Sequence, residues 1–382
     1  MYVPRLLEKG VLKTLENKKV LILVGARQVG KTTLLKKIIS EVSGTIINLD
    51  IEVDKAKFLS ASKMDPSDAI NFLGNGKLLV IDEAHKDSDA GRIVKGWYDY
   101  GVNKKIILSG SSSLNLLDKF AESLAGRNEK LFLTPFLVEE VLKNQSWYNE
   151  NLVLKDQLAS LIDKLLIYGS YPEVVETENP EKYLLNLTSD TLLCDLLQEG
   201  LVKTSNTIKR LLLLLAYQVG SEVSISELSR SLEISRLTVE KYIDLLEKIY
   251  VIFRLPSYSS NPRKEITKSQ KIYFWDVGIR NALINEFKML EHRIDTGALW
   301  ENFVIAEFAK SNLMKEKHEN LYFWRTRDGS EVDLVIKNSN YLKAYEIKWG
   351  RGKLKSINAF KNRFGVEVEL INVSDFIEKI TS

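Results

Sequence analysis

The chain has 382 residues, a length that predicts two or three domains. With 45% hydrophobic and 27% charged residues, its composition is that of a globular protein. Its net charge of +3 permits a nucleic-acid partner but does not argue for one, because binding depends on how lysine and arginine residues cluster. The single cysteine, Cys194, excludes an internal disulfide framework, and the lack of any run of roughly 18 apolar residues excludes a membrane-spanning helix, which favours a cytoplasmic protein.

Five short apolar runs in the first third of the chain predict the strands of a parallel, doubly wound α/β sheet. They are Lys18–Val24, Thr45–Asp50, Lys77–Asp82, Lys105–Ser109 and Lys130–Thr134. Helical patterns separate most of these runs, and the spacing allows the crossover connections that parallel strands need. We place this predicted domain at residues 1–137.

A complete nucleotide-binding motif, GxxxxGK[ST], lies between the first predicted strand and the helix that follows it. The predicted nucleotide-binding residues are Gly25, Ala26, Arg27, Gln28, Val29, Gly30, Lys31, Thr32 and Thr33. The glycines let backbone N–H groups surround phosphate oxygens, and the helix N-terminus adds the positive end of its dipole. Lys31 is expected to reach the β- and γ-phosphates of ATP, and the Thr32 hydroxyl to ligate Mg²⁺. A chance glycine turn is the alternative, and the flanking strand and helix argue against it.

An acidic pair, Asp82 and Glu83, ends the third predicted strand. An acid at the tip of a buried apolar strand costs free energy unless it binds something. We expect Asp82 to hold the Mg²⁺ shell and Glu83 to orient and polarise the attacking water. A strand end that meets solvent is the alternative. Beside a complete nucleotide-binding motif, the acidic pair favours hydrolysis of ATP over binding alone.

Several motifs together resemble one family, the prokaryotic AAA+ ATPases that carry a C-terminal domain of unknown function. The motifs are GARQVGKTTL, INLD, VIDEAHK, ILSGSSS, LAGR, YGSYPEVV and EVDLVI…YEIK. The resemblance covers nearly the whole chain and implies a P-loop NTPase sheet domain that hydrolyses ATP, then a winged helix and a restriction-endonuclease-like α/β core. The helical residues 138–204 resemble the small lid of AAA+ proteins. Ser170 departs from the pattern, which has a second glycine before Tyr171 and Pro172.

The resemblance gives two further residues a role in ATP hydrolysis. Ser109, at the end of the fourth predicted strand, has the polar position that senses the γ-phosphate in AAA+ proteins, although Ser111 or an ordinary Gly-Ser turn accounts for the pattern equally well. Arg127 precedes the fifth strand, where AAA+ proteins place an arginine finger that reaches a neighbouring subunit's site. That role predicts a homo-oligomer, and a surface arginine is the alternative.

Residues 205–276 have the spacing of a helix-turn-helix followed by a β-hairpin. The predicted helices and strands are 207–219, Ile225–Leu232, Arg236–Ile249, Tyr250–Leu255 and Lys271–Trp275, and the hairpin loop carries Arg263, Lys264 and Lys268. If DNA is bound, the third helix enters the major groove and the basic loop meets phosphates. On the exposed face of that helix Arg236 and Lys241 are offset by Glu240, Asp244 and Glu247, so a protein partner stays equally open.

The predicted C-terminal domain, residues 277–382, carries acids that resemble the restriction-endonuclease-like superfamily. Asp333 begins one predicted strand, Glu346 and Lys348 lie on one face of the next, and Glu301 lies on the preceding helix. The resemblance implies that the acids hold Mg²⁺ and that Lys348 stabilises charge or helps to activate water. In the alternative, the fold is retained and the acids form salt bridges with Lys348, Arg325 and Arg327.

Three hypotheses about function follow from these patterns. In the first, an ATPase couples its nucleotide state to a C-terminal effector that acts on DNA. In the second, the chain is an ATP-gated, Mg²⁺-dependent DNA nuclease. In the third, it is a non-catalytic nucleotide switch for a protein partner.

Overall fold

The computed structural model describes residues 2–110, 120, 123–148, 155–191, 205–259, 270–350 and 357–381. The chain divides into two compact units, Tyr2–Thr134 and Pro135–Ser382. None of the helices in these described ranges is long and apolar enough to cross a membrane. The four predicted domain ranges stay predictions.

The first unit is built on five parallel strands in the order β2-β3-β4-β1-β5, which confirms the predicted parallel α/β sheet. The strands are β1 (Val20–Val24), β2 (Gly44–Asn48), β3 (Leu78–Asp82), β4 (Lys105–Gly110) and β5 (Asn128–Phe132). The helices are α1 (Leu7–Thr14), α2 (Lys31–Val42), α3 (Glu52–Ala61), α4 (Pro66–Leu73) and α5 (Ala90–Tyr100).

The strand order brings the predicted nucleotide-binding residues to one edge of the sheet. β4 lies between β1 and β3, and parallel strands end at the same edge. Every residue of β1 and β3 is buried, as expected for continuous apolar runs that helices cover on both faces. The carboxyl ends of three adjacent strands therefore present Gly25, Ser109 and Asp82 side by side.

The second unit begins with helices and ends with a mixed sheet. Its helices are α6 (Val138–Lys143), α7 (Lys155–Tyr168), α8 (Pro172–Glu176), α9 (Pro180–Asn186), α10 (Ser205–Tyr217), α11 (Ile225–Leu232), α12 (Arg236–Lys248), α13 (Val277–Leu283), α14 (Thr296–Met314), α15 (Ile357–Phe364) and α16 (Phe376–Thr381). Strands β6 (Ile252–Pro256) and β7 (Gln270–Phe274) form an antiparallel pair. The last four strands are β8 (Asn320–Arg325), β9 (Glu331–Lys337), β10 (Leu342–Ile347) and β11 (Val368–Ile371).

These last strands form a sheet in the order β11-β10-β9-β8, antiparallel except for the β10–β11 pair. α14 is buried around most of its circumference, and its buried residues include the charged side chains of Glu307 and Lys310 as well as apolar ones. Three helices and an antiparallel hairpin are present in the order predicted for the winged helix, and Ser224 and Ser235 cap the second and third helices. The identification as a winged helix stays a prediction, and Arg263, Lys264 and Lys268 lie outside the described residues.

Candidate functional site

The nucleotide-binding loop is shaped by two glycines that no other residue could replace without strain. A Cβ on Gly25 would lie 2.1 Å from the carbonyl oxygen of Leu133, so the loop can leave β1 here only as glycine. Gly30 precedes α2 with a φ of 93°, in the left-handed region. Within the described part of the chain, no side chain caps this helix, so its first N–H groups remain available to phosphate oxygens.

Lys31 is buried against its own loop. Its Nζ donates hydrogen bonds to the carbonyl oxygens of Gly25 at 2.9 Å and Ala26 at 2.8 Å. The ammonium therefore lies beside the loop that would surround the phosphates, as the motif predicts.

Asp82, the last residue of β3, accepts hydrogen bonds from three groups. Its Oδ2 accepts a hydrogen bond from Thr32 Oγ1 at 2.7 Å, and its Oδ1 accepts one from Ser109 Oγ. The backbone N–H of Glu83 also donates to Asp82 Oδ1, at 3.0 Å. The structure thus brings together the strand-end serine, the loop threonine and the acidic pair, while Ser111 lies outside the described residues.

Thr32 and Asp82 place two oxygen atoms side by side, joined by the 2.7 Å hydrogen bond from Thr32 Oγ1 to Asp82 Oδ2. Both donors are oxygens, the ligand type that Mg²⁺ prefers.

Glu83, the predicted base, follows the last residue of β3. It adopts a left-handed backbone conformation, with a φ of 51°, as the chain leaves β3. Burial raises the pKa of the Glu83 carboxyl above its usual value, Lys31 opposes this rise, and Asp82 adds to it. A carboxylate with a raised pKa accepts a proton from water more readily.

The sequence analysis missed His85, which folds back onto Glu83. His85 Nδ1 lies 3.3 Å from Glu83 Oε2. Burial, together with nearby Lys86, lowers the pKa of His85 to about 4, so the imidazole is neutral at pH 7. The signal was the histidine in VIDEAHK, two residues after the predicted base.

Arg127 lies at the other edge of the sheet. Its carbonyl oxygen accepts a hydrogen bond from the N–H of Val20, the first residue of β1, whereas the nucleotide-binding loop follows the last. Five residues at about 3.3 Å each separate the two edges by roughly 15 Å. Arg127 Nε instead donates to Asp99 Oδ1 at 2.6 Å. The structure therefore does not bring Arg127 to the nucleotide site of its own chain, and its role as a finger for a neighbour stays a prediction.

In the second unit, three of the four predicted nuclease-like residues converge at the end of β10. Lys348 Nζ lies 3.2 Å from Glu346 Oε1 and 3.7 Å from Asp333 Oδ2. Asp333 Oδ2 also accepts a hydrogen bond from the N–H of Ile347 at 2.7 Å, and both carboxylates are buried. Burial, followed by the nearby carboxylate of Glu301, raises the pKa of Asp333 to about 7.

Glu301, the fourth residue, has other partners. Its Oε1 accepts hydrogen bonds from Lys271 Nζ at 3.0 Å and from the Tyr273 hydroxyl at 2.5 Å. Lys271 is only 2% exposed and also pairs with Glu331 at 2.6 Å. We call Lys271, Glu301 and Glu331 the lysine-centred cluster. The sequence patterns did not predict it, although Lys271 and Tyr273 share one face of β7.

Of the salt bridges in the alternative account of the acids, those with Lys348 are present. Arg325 instead pairs with Glu222 at 3.1 Å and lies 3.9 Å from Glu331 of the lysine-centred cluster. Across the described ranges, no group of three or more histidine, cysteine or acidic residues is arranged to hold a metal ion. Asp333 and Glu346 both lie beside the ammonium of Lys348.

Comparisons with known proteins agree with the first unit. Residues 17–142 match the AAA domain family, while residues 159–289 and 296–374 match two domains of unknown function, DUF8612 and DUF4143. The chain therefore contains an AAA-type P-loop ATPase domain and a DUF4143 domain.

Two relatives extend over most of the chain. An uncharacterised protein of Mycobacterium tuberculosis is 29% identical over 342 residues, covering 88% of this chain and 71% of that protein. An uncharacterised protein of Methanocaldococcus jannaschii is 28% identical over 397 residues, covering 94% and 81%. Among solved structures, the Walker-type ATPase of Pyrococcus abyssi matches 73% of this chain and 94% of that one with a TM-score of 0.50 and 18% identity, which shows a shared fold.

Proposed function

We propose that the chain binds and hydrolyses Mg-ATP and couples its nucleotide state to a C-terminal effector that acts on DNA. The observation that carries the ATPase is the convergence of the Thr32 and Ser109 hydroxyls on Asp82, with Lys31 close enough to oppose the rise in the pKa of Glu83. These groups are the ones that a P-loop ATPase needs to hold phosphates and Mg²⁺ and to position water.

Each residue has one task in this proposal. Lys31 Nζ exchanges its hydrogen bonds to loop carbonyls for stronger, charge-assisted bonds to phosphate oxygens. Thr32 and Asp82 would hold Mg²⁺, which supplies charge stabilisation of the phosphates when bound. Glu83 orients the attacking water and accepts its proton, and His85 limits the positions that the Glu83 side chain can adopt. Ser109 fixes Asp82 through its hydroxyl and senses the γ-phosphate.

Two substitutions test the ATPase. Glu83→Gln keeps the shape of the side chain but removes the base, so turnover should fall by about 10²- to 10⁴-fold while ATP binding persists. Lys31→Ala should lose both ATP binding and turnover. Lys36→Ala, an exposed lysine on the same helix, is the matched control. The measurements are phosphate release and the affinity for a fluorescent ATP analogue. If turnover survives in Glu83→Gln, Glu83 is not the general base. If the wild type binds ATP tightly but does not hydrolyse it, the nucleotide switch is favoured.

The DNA partner is supported by the charge pattern of α12. Two of the acids that offset its basic residues, Asp244 and Glu247, pair with Arg254, the former at 2.5 Å. Arg236 and Lys241 therefore face solvent with less acidic competition than the sequence alone indicated. Phosphate release with single-stranded, duplex and branched DNA should be stimulated by one of these forms, and less so in Arg236→Ala/Lys241→Ala. Hydrolysis that is indifferent to every form would favour a protein partner.

Cleavage of DNA is the second candidate function. It is favoured by the convergence of Asp333, Glu346 and Lys348, in which the two acids would hold a divalent ion that supplies Lewis-acid chemistry when bound. Mg²⁺-dependent nicking of plasmid DNA should then be lost in both Asp333→Ala and Lys348→Ala, whereas in Lys31→Ala it should no longer respond to ATP. Nicking that persists in both C-terminal variants would come from another site.

A further inference from the structure

Arg5, near the N-terminus, holds the nucleotide-binding loop to the end of the first unit. It is 6% exposed, and its guanidinium donates to two carbonyl oxygens, that of Val29 at 2.9 Å and that of Thr134 at 2.7 Å. Val29 belongs to the nucleotide-binding loop, and Thr134 is the last residue of the unit. A planar guanidinium that bonds two backbone groups fixes the distance between them.

A second contact joins the same two segments. The N–H of Leu133 donates to the carbonyl oxygen of Val24 at 2.8 Å, and the Leu133 carbonyl packs directly against Gly25. The loop is therefore held against residues 133 and 134 at both its beginning and its end. A shift of the loop when phosphates bind must move these residues or break the contacts.

On the other side of Pro135, the chain is held just as firmly within the second unit. The Phe136 carbonyl oxygen accepts a hydrogen bond from Lys310 Nζ at 3.2 Å, and the Val138 N–H donates to Glu307 Oε2 at 2.9 Å. Lys310 Nζ also donates to Glu307 Oε1 at 2.9 Å and to Ser170 Oγ at 3.0 Å. Glu307 is fully buried and Lys310 nearly so.

This buried ion pair does more than balance its own charges. The free-energy cost of removing two charges from water roughly cancels the attraction between them, so a buried ion pair adds little stability. Here the pair bonds the main chain at residues 136 and 138, and Ser170 extends it, because the N–H and hydroxyl of Ser170 both donate to Asp276 Oδ2. A glycine at position 170, which the family pattern contains, would lack the hydroxyl that Lys310 contacts.

We propose that Arg5 is a positioning residue of the nucleotide site. We further propose that residues 133–138 transmit the presence or absence of bound nucleotide to the second unit through the Lys310–Glu307 pair. The proposal rests on nucleotide binding at Gly25–Thr32, which is part of the proposed function, but not on hydrolysis. The covalent continuity of residues 133–138 makes the connection, since Arg5 holds one end and Lys310 and Glu307 hold the other.

Hydrogen–deuterium exchange of the full chain, with and without a non-hydrolysable ATP analogue, tests the proposal. In the wild type, saturating analogue should slow or speed amide exchange in residues 136–140 and 302–311 by about fivefold or more, the lower range of typical coupling between sites. In Arg5→Lys, which keeps the charge but loses the two-carbonyl geometry, and in Lys310→Met, this response should vanish at saturation. Arg92→Met and Lys288→Met, both exposed, are the matched controls and should respond like the wild type.

Two further readouts separate positioning from folding. Arg5→Lys should lower kcat/KM for ATP roughly 10- to 100-fold, the cost of misplaced groups. Its melting temperature should fall by only a few degrees, in line with the loss of hydrogen bonding. If Lys310→Met does not fold, Glu307→Gln/Lys310→Met removes both charges and leaves neither buried alone. A wild-type response retained in Arg5→Lys or in the double variant would overturn the proposal. Failure of the ATPase itself is distinct, because it would appear as absent turnover with the exchange response intact.

Discussion

Lys31 at the nucleotide site and Lys271 in the lysine-centred cluster are both buried, but they differ in what they contact. At the nucleotide site, Lys31 donates to backbone carbonyl oxygens and Asp82 is held by the hydroxyls of Thr32 and Ser109. In the lysine-centred cluster, Lys271 pairs directly with two carboxylates, at 3.0 and 2.6 Å. The first arrangement gains charge-assisted bonds when a phosphate arrives, whereas in the second the ammonium already makes charge-assisted contacts to two carboxylates of the chain.

The difference separates a site built for a ligand from one built for the fold. A phosphate that replaces the carbonyl partners of Lys31 displaces neutral groups. Displacing Lys271 would leave Glu301 and Glu331 without their shared cation. Lys348 is intermediate, since it is 37% exposed and contacts Glu346 and Asp333 at longer distances.

Arg127 extends the comparison to a charged side chain whose present ion pair is weak enough to be replaced. Its substitution carries the largest expected effect, a fall in ATP turnover. Its pair with Asp99 is partly exposed, and such pairs contribute about 0–1 kcal/mol, so a neighbour's phosphate could replace Asp99. If Arg127 is a finger, ATP turnover per subunit should rise with protein concentration, and Arg127→Ala should lower kcat by about 10³-fold or more. Arg92→Ala, which disrupts a comparable exposed pair with Asp89, should change neither. A flat concentration dependence with a monomeric mass under ATP would remove the role.

Lys271→Met tests the comparison through the free energy of unfolding. It should destabilise the second unit by about 3 kcal/mol, because two largely buried carboxylates lose their cation. Lys31→Met removes hydrogen bonds to neutral carbonyls and should cost about 1 kcal/mol in the first unit while turnover is lost. Urea unfolding of both variants at pH 7 measures the two costs.

A third variant sharpens the same experiment. Glu301→Gln in the Lys271→Met background removes one of the stranded charges and should recover part of the lost stability. Equal destabilisation by Lys31→Met and Lys271→Met would mean that the two lysines do not differ in the way their contacts indicate.

The sheet and the nucleotide site could be predicted from the sequence because their signals are local. Apolar runs locate the strands, and Gly25–Thr32 and Asp82-Glu83 are contiguous motifs whose context fixes their geometry. Even the convergence of Ser109 on Asp82 follows from parallel strands ending at one edge.

The lysine-centred cluster and the contacts of Arg5 could not be predicted, because they join distant segments. Lys271 and Glu301 are 30 residues apart, and Ser170 and Asp276 are 106 apart. Side-chain periodicity shows which residues share a face of a strand, but not which other element packs against that face. Arg5 has no motif around it, and only the fold places its guanidinium between Val29 and Thr134.

The pH dependence of the free energy of unfolding is the smallest expected effect, and it tests whether Lys271 acts through its charge. Burial lowers the pKa of Lys271, but the carboxylates of Glu301 and Glu331, with Asp333 nearby, outweigh it and raise the pKa above the ordinary 10.5. A raised lysine pKa contributes stability that is fully present below 10.5 and is lost as pH rises through the folded-state value. The difference in unfolding free energy between the wild type and Lys271→Met should therefore shrink above pH 10.5. Tyr273 shares Glu301 with Lys271, so both proteins are compared in a Tyr273→Phe background, which removes the titration of the tyrosine from the difference. A difference that stays constant from pH 9 to about pH 11.5 would show that Lys271 stabilises the unit by packing over Phe323 rather than by its charge.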